Sequence, residues 1–135
     1  MKKTIASQKV DSLTYFFEKA NNDNVPHEKR QLYTKKAITI ISAEKNDSMN
    51  RVNYFKVANR YFNMNAMDNY KKITEIIILN SKKAKDSFSL AKAYSYLGDY
   101  YGSKFESEQA YQNYFYAENI YIKLKDKVKI AKTLL

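Results

Sequence analysis

The sequence contains no Cys and no Trp, and only two Gly, one Pro and one His. Without Cys there is no disulfide framework and no thiolate metal site, and nothing indicates the redox compartment. A lone His27 excludes multi-His metal centres and His-based catalytic pairs. Two Gly leave little room for a phosphate-cradling loop or for a β-rich fold with many tight turns. Long apolar runs are also missing. The longest, Ile76 to Leu79, is far short of the ~20 residues a membrane span needs. The start, MKKTIASQKV, is basic but lacks the apolar stretch of an intact signal peptide. An enzyme is not expected, and neither is a cofactor.

What is present suits one helical domain. The chain has 135 residues, of which 44% are hydrophobic, enough to build a core. The net charge of +10 invites a nucleic-acid reading. Composition argues against it. Lys, Asn, Tyr and Ile supply 58 of the residues, and all four use A/T-rich codons. Arg, the better phosphate fork, occurs only at 30, 51 and 60. The excess charge is also spread along the chain, +3 over 1–49, +5 over 50–86 and +2 over 87–135. A basic helical repeat that binds nucleic acid is kept as the alternative, with an acidic protein segment as the favoured partner.

Apolar residues recur at three- and four-residue steps almost throughout. Polar breaks predict helices at about 7–20, 26–45, 48–64, 68–84, 87–103 and 106–124, with a seventh starting at 127. Asp47, Asp86 and Asp126 stand at the starts of helices as N-caps, and Pro26 at a first turn. The three Asp are 39 and 40 residues apart, which suggests a repeat. A shift of 40 places Tyr54 on Tyr94, Val57 on Leu97, Ala58 on Gly98 and Tyr61 on Tyr101. The chain then reads as three hairpins, about 7–45, 48–84 and 87–124, with a partial fourth at 127–135.

The third repeat carries Tyr94-x2-Leu97-Gly98-x2-Tyr101, then Ala110-x3-Tyr114-x2-Ala117. This pattern resembles the tetratricopeptide repeat. In such a repeat small residues stand where paired helices approach closely, and aromatic residues and Leu fill between hairpins. The period near 40, against the usual 34, and Ile122 at the closing Pro position are departures. Extended repeats of this kind are similar to input domains of bacterial sensor kinases and transcriptional regulators. The resemblance implies an all-α, right-handed superhelical stack, acting in signal transduction, two-component systems or transcription regulation. It also implies the cytoplasmic or extracytoplasmic part of a membrane-anchored regulator. Residues 127–135 copy only the start of a first helix, so the chain is expected to be a fragment of a longer protein.

By position in the resembled repeat, the peptide-binding groove would be lined by Phe55, Lys56, Asn59, Phe62 and Asn63. In the third repeat the corresponding residues are Lys92, Ser95, Tyr96, Asp99 and Ser103. Asn59 and Asn63 lie one helical turn apart, where their amides could hold a peptide backbone. Some members of the family clamp a terminal carboxylate. Here Asn59 and Lys92 match such positions, while Phe55 and Ser95 stand where Lys would be needed. Phe55, Phe62, Tyr96, Tyr100, Tyr111 and Tyr116 are aromatics the packing pattern does not use. They are either interface anchors or filler between long helices. His27 is read as part of a helix start, Gly98 as a site of helix packing, Gly102 as the glycine that ends that helix, and Glu106 and Glu108 as divergent side chains. Lys71-Lys72 and Lys82-Lys83 are read as a solvated face. Self-association through 127–135 is a further expectation.

Overall fold

A computed structural model describes residues 4–134, with side chains described through residue 127. Among the described residues the fold is entirely helical. The helices are α1 (Ile5–Ala20), α2 (His27–Ser42), α3 (Ser48–Asn63), α4 (Met67–Ala84), α5 (Ser87–Ser103) and α6 (Ser107–Leu134). They form two compact units, Met1–Ile73 and Thr74–Leu135, and the division falls within α4.

Helix starts follow the caps. Asp47 Oδ1 accepts from the Asn50 N–H at 2.8 Å, and Asp86 Oδ1 accepts from the Ser89 N–H at 3.1 Å. Each satisfies a donor with no partner inside its helix. Pro26 stands just ahead of α2, at φ −54°, as its N-cap. The ends of α3, α4 and α5 follow one backbone device. The N–H groups of Ala66, Asp86 and Glu106 donate to carbonyls five residues back, at Tyr61, Ser81 and Tyr101, over 2.8, 2.9 and 2.9 Å. The residue before each one is left-handed: Asn65 at φ 56°, Lys85 at 55° and Phe105 at 59°. This is the backbone closure expected where a helix ends in a left-handed residue. Its recurrence every 20 residues gives the internal repeat a structural counterpart.

Two expectations are corrected. The break at Asp126 is absent, and α6 runs unbroken from Ser107 to Leu134. No Gly or Pro interrupts that segment, and a mid-helix Asp costs only about 0.6 kcal/mol relative to Ala. There is accordingly no seventh helix at 127. Side chains from 128 onward lie outside the described residues, and with them most of the surface expected to self-associate. Gly102 is not the residue that turns the chain after α5. It lies in the last turn of α5 without a positive φ, and Phe105 adopts the left-handed conformation instead.

In the N-terminal unit the core is Phe17 and Ala20 of α1, Ala37 and Ile41 of α2, and Tyr54, Phe55, Val57, Ala58 and Tyr61 of α3, with Met64, Met67, Tyr70 and Ile73. Two buried side chains bind the last carbonyls of preceding helices. Arg30 Nε donates to the Ala20 carbonyl at 2.8 Å, and Asn50 Nδ2 to the Ile41 carbonyl at 2.6 Å. Each pins the start of one helix to the end of the previous one and satisfies an acceptor that water cannot reach. Asn50 also explains why α2 stops at Ser42, short of the expected 45, because its Ile41 carbonyl is taken by α3.

The C-terminal unit is built on small residues. Ala91, Ala93 and Gly98 of α5, and Ala110 and Ala117 of α6, are buried. Large rings sit at the edges of this seam. Tyr94 and Tyr116 have centroids 5.4 Å apart, and Phe88 and Tyr121 6.5 Å. Tyr94, Leu97 and Tyr101 are half-buried, so they only partly fill the role expected of them. The Tyr114 ring lies over Gly98, where a Cβ would meet its Cε1, Cδ1 and Cζ at 2.5, 2.6 and 2.8 Å.

Substitutions at the two glycines should therefore have opposite signs. Gly98→Ala forces the Tyr114 ring away and should lower stability by about 1–2 kcal/mol despite the better helix propensity. Gly102→Ala meets nothing within 4 Å and should raise stability by about 0.5–1 kcal/mol. Phe105→Asn should also stabilise, by about 1 kcal/mol, because an exposed bulky residue leaves the left-handed region. Thermal and urea unfolding followed by circular dichroism checks all three.

Candidate functional site

Within the N-terminal unit a groove runs between α1 and α3. One end is a cavity of about 490 Å³ walled by Ile5, Ala6, Val10 and Leu13 of α1, Ile40 of α2 and Met49 of α3. Its rim is polar, with Asp47, Asn50, Asn53 and a Lys9–Glu44 ion pair of 3.1 Å. Ile5, Val10 and Met49 are more than half exposed, so the cavity opens to solvent.

Further along α3, Lys56 and Arg60 project over the Phe17 ring of α1, 5.7 and 5.2 Å from its centroid. The i,i+4 spacing puts both cations on one face. Neither forms an ion pair among the described residues. Arg60 Nε is buried without a hydrogen-bond acceptor, and burial lowers the pKa of its guanidinium. Lys56 is open to water, and the Phe17 ring is the aromatic face that both cations share. The arrangement is thus short of one anion.

The positions expected to line the groove divide. Lys56 and Asn63 are exposed on α3 and Asn59 is half-buried, as an open face requires. Phe55 is corrected, since at 4% exposure it belongs to the core and is closed to any ligand. Phe62 is exposed on one side and packs on Tyr70, with centroids 5.2 Å apart. Arg60 and Phe17 escaped the sequence reading. The available signal for Arg60 was its rarity, one of three Arg against 21 Lys, four residues after Lys56.

In the C-terminal unit the candidates bind their own helices. Ser95 Oγ donates to the Ala91 carbonyl at 3.3 Å, and Ser103 Oγ to the Tyr100 carbonyl at 2.6 Å. Lys92 lies 5.8 Å from the Tyr96 ring centroid. Asp99 accepts from the Tyr114 hydroxyl at 2.5 Å, tying α5 to α6. Of the unassigned aromatics, Tyr111 is 75% exposed, while Tyr116 packs on Tyr94 and accepts from Gln112 Nε2 at 2.8 Å. Among the described residues no three His, Cys, Asp or Glu converge on a point where a metal could sit. His27 Nε2 faces Gln31 Nε2 at 3.1 Å, one turn on. No described helix is long and apolar enough to cross a membrane.

Compared with protein-family models and with curated proteins, the chain matches none.

Burial, the hydrogen bond to Asp99 and the charge of that carboxylate together push the Tyr114 phenol up to about 12. Its folded pKa lies above the ordinary value of 10.0, so between those values the folded state holds a proton that the unfolded state has lost. This contribution to stability is complete below pH 10 and fades as pH rises toward 12. Tyr114→Phe should remove that part of the alkaline loss. Urea midpoints of the two proteins should converge between pH 10 and 12, and absorbance near 295 nm should show one late-titrating phenol missing from the variant.

Proposed function

We propose that this protein is a non-catalytic protein-interaction module of tetratricopeptide type that binds an extended, acidic peptide segment along the α1–α3 groove. The observation that carries this reading is the cation pair over Phe17. Among the described residues Lys56 and Arg60 have no anion of their own, and Arg60 keeps a desolvated donor unpaired. A carboxylate placed there would satisfy the Nε donor and relieve the repulsion between the two cations. The apolar cavity at the other end would take a Leu, Ile or Phe side chain.

Met49 and the cations are seven to eleven residues apart on one helix, or about 10–16 Å. An extended peptide covers that span in about three to five residues. The partner is accordingly a segment with one large apolar residue and one Asp or Glu three to five positions away. Asn59 and Asn63, between and beside these points, are suited to hold its backbone. A sensor or scaffold segment of a larger bacterial signalling or transcriptional regulatory protein would use such a groove. That assignment rests on the resemblance of the repeats.

One observation favours the nucleic-acid alternative. Tyr15, Phe16 and Tyr33 form a partly exposed ring cluster with centroids 5.8 to 6.1 Å apart. Lys19 and Lys36 lie over two of these rings. Stacked bases and phosphates suit such a surface. It is less specific than the groove, because no buried donor in it is left without an acceptor.

Selection from a displayed random-peptide library should enrich the apolar–acidic spacing. Fluorescence anisotropy with an enriched peptide should then show about tenfold weaker binding for Lys56→Ala and for Arg60→Met. Arg60→Met should leave thermal stability unchanged or higher, since it removes a buried donor without a partner. Enrichment without acidic residues, or a variant that loses binding only by unfolding, would refute the groove assignment. Tight binding of a single-stranded oligonucleotide, falling by decades per decade of salt, would support the alternative.

A further inference from the structure

The outward face of α6 carries Tyr111, Phe115, Glu118, Ile122 and Lys125, spaced 4-3-4-3. That spacing forms a single seam of the kind through which two helices pair side by side. Tyr111 is 75% exposed, and Phe115 and Ile122 are each 50% exposed. A groove of about 350 Å³ between α5 and α6 borders this side, lined by Ser95 of α5 and by Tyr114, Ala117, Glu118, Tyr121, Ile122 and Lys125 of α6. This is a contiguous aromatic and aliphatic surface on a very regular helix, of the kind that marks an interaction site.

Its charges indicate what covers it. Glu118 and Lys125 lie on the seam seven residues apart, through steps of four and three, one at each side of Tyr121 and Ile122. Neither forms an ion pair among the described residues, and both line the groove. Both are too far apart along the helix, about 10 Å, to pair with each other. A surface with an acid at one end, a base at the other and an apolar centre complements a copy of itself turned through 180°. Within α6, Glu108 and Glu118 stand toward the start and Lys123, Lys125 and Lys127 toward the end, with Asp126 among the lysines. An antiparallel copy centred between Tyr121 and Ile122 brings each Glu118 against a Lys125.

We infer that two copies of this chain associate through α6, antiparallel across a twofold axis, with each Glu118 meeting Lys125 of the second copy. The axis passes between Tyr121 and Ile122, so that Ile122 of one copy packs on Tyr121 of the other. Tyr111 and Phe115 extend the contact on either side. The peptide groove of the N-terminal unit plays no part in this contact, so the inference does not depend on the proposed function.

Sedimentation of the whole chain over a range of concentrations tests it, with circular dichroism confirming that every variant is folded. The wild type should sediment as a species of twice 15.9 kDa. Glu118→Lys and Lys125→Glu should each weaken association by about tenfold or more, because each places like charges together twice per dimer. The double reversal, Glu118→Lys with Lys125→Glu, should restore it. Ile122→Asp should leave a folded monomer. A wild type that is monomeric at all concentrations would overturn the proposal. So would a dimer indifferent to the single reversals, or single defects that the double reversal does not repair.

Discussion

Close approach of helix backbones at small residues is the constraint from which most of this structure follows. Ala20, Ala37 and Ala58 in the N-terminal unit, and Ala91, Ala93, Gly98, Ala110 and Ala117 in the C-terminal unit, are all buried. Helices that meet through such residues leave no room between them for a phenol or phenyl ring. In the C-terminal unit the rings are displaced to the edges of the seam. There they cover one another, as Tyr94 and Tyr116 do, or lie over a glycine, as Tyr114 does over Gly98. The half-exposed aromatic surface of that unit is thus a consequence of how its core is made.

The N-terminal unit balances large and small differently. Its core holds Phe17, Phe55, Tyr54, Tyr61 and Tyr70, and the ends of its helices are secured by Arg30 and Asn50. Phe17 serves twice, since one side of its ring closes the core and the other receives Lys56 and Arg60. A guanidinium held partly out of water with an unpaired Nε is a cost to the fold. Such costs are tolerated where a ligand relieves them.

The sequence made the helices and their starts legible, because periodicity, Asp47 and Asp86 are local signals. It also pointed to the 39-residue spacing of Asp47 and Asp86, which stand at the starts of α3 and α5. It was misleading at Asp126, where a residue that caps two other helices lies inside a third. A cap needs the chain to enter from an extended conformation, and nothing before Asp126 turns the chain out of the helix. Of the groove candidates, Lys56, Asn59 and Asn63 are open on α3, while Phe55 is buried beside them. Adjacent positions on a helix differ by 100°, so a small error in assigning the face exchanges a core ring for a surface one.

Composition and period alone settled that the chain is helical and that cysteine or multi-histidine chemistry has no place in it. These depend on residue types and on spacing within a single helix. The shared use of Phe17 by two cations, the ring of Tyr114 over Gly98, and Glu118 and Lys125 without an ion pair among the described residues were decided by tertiary packing. Each joins residues from different helices, or depends on which neighbours are absent. A linear spacing carries neither kind of information.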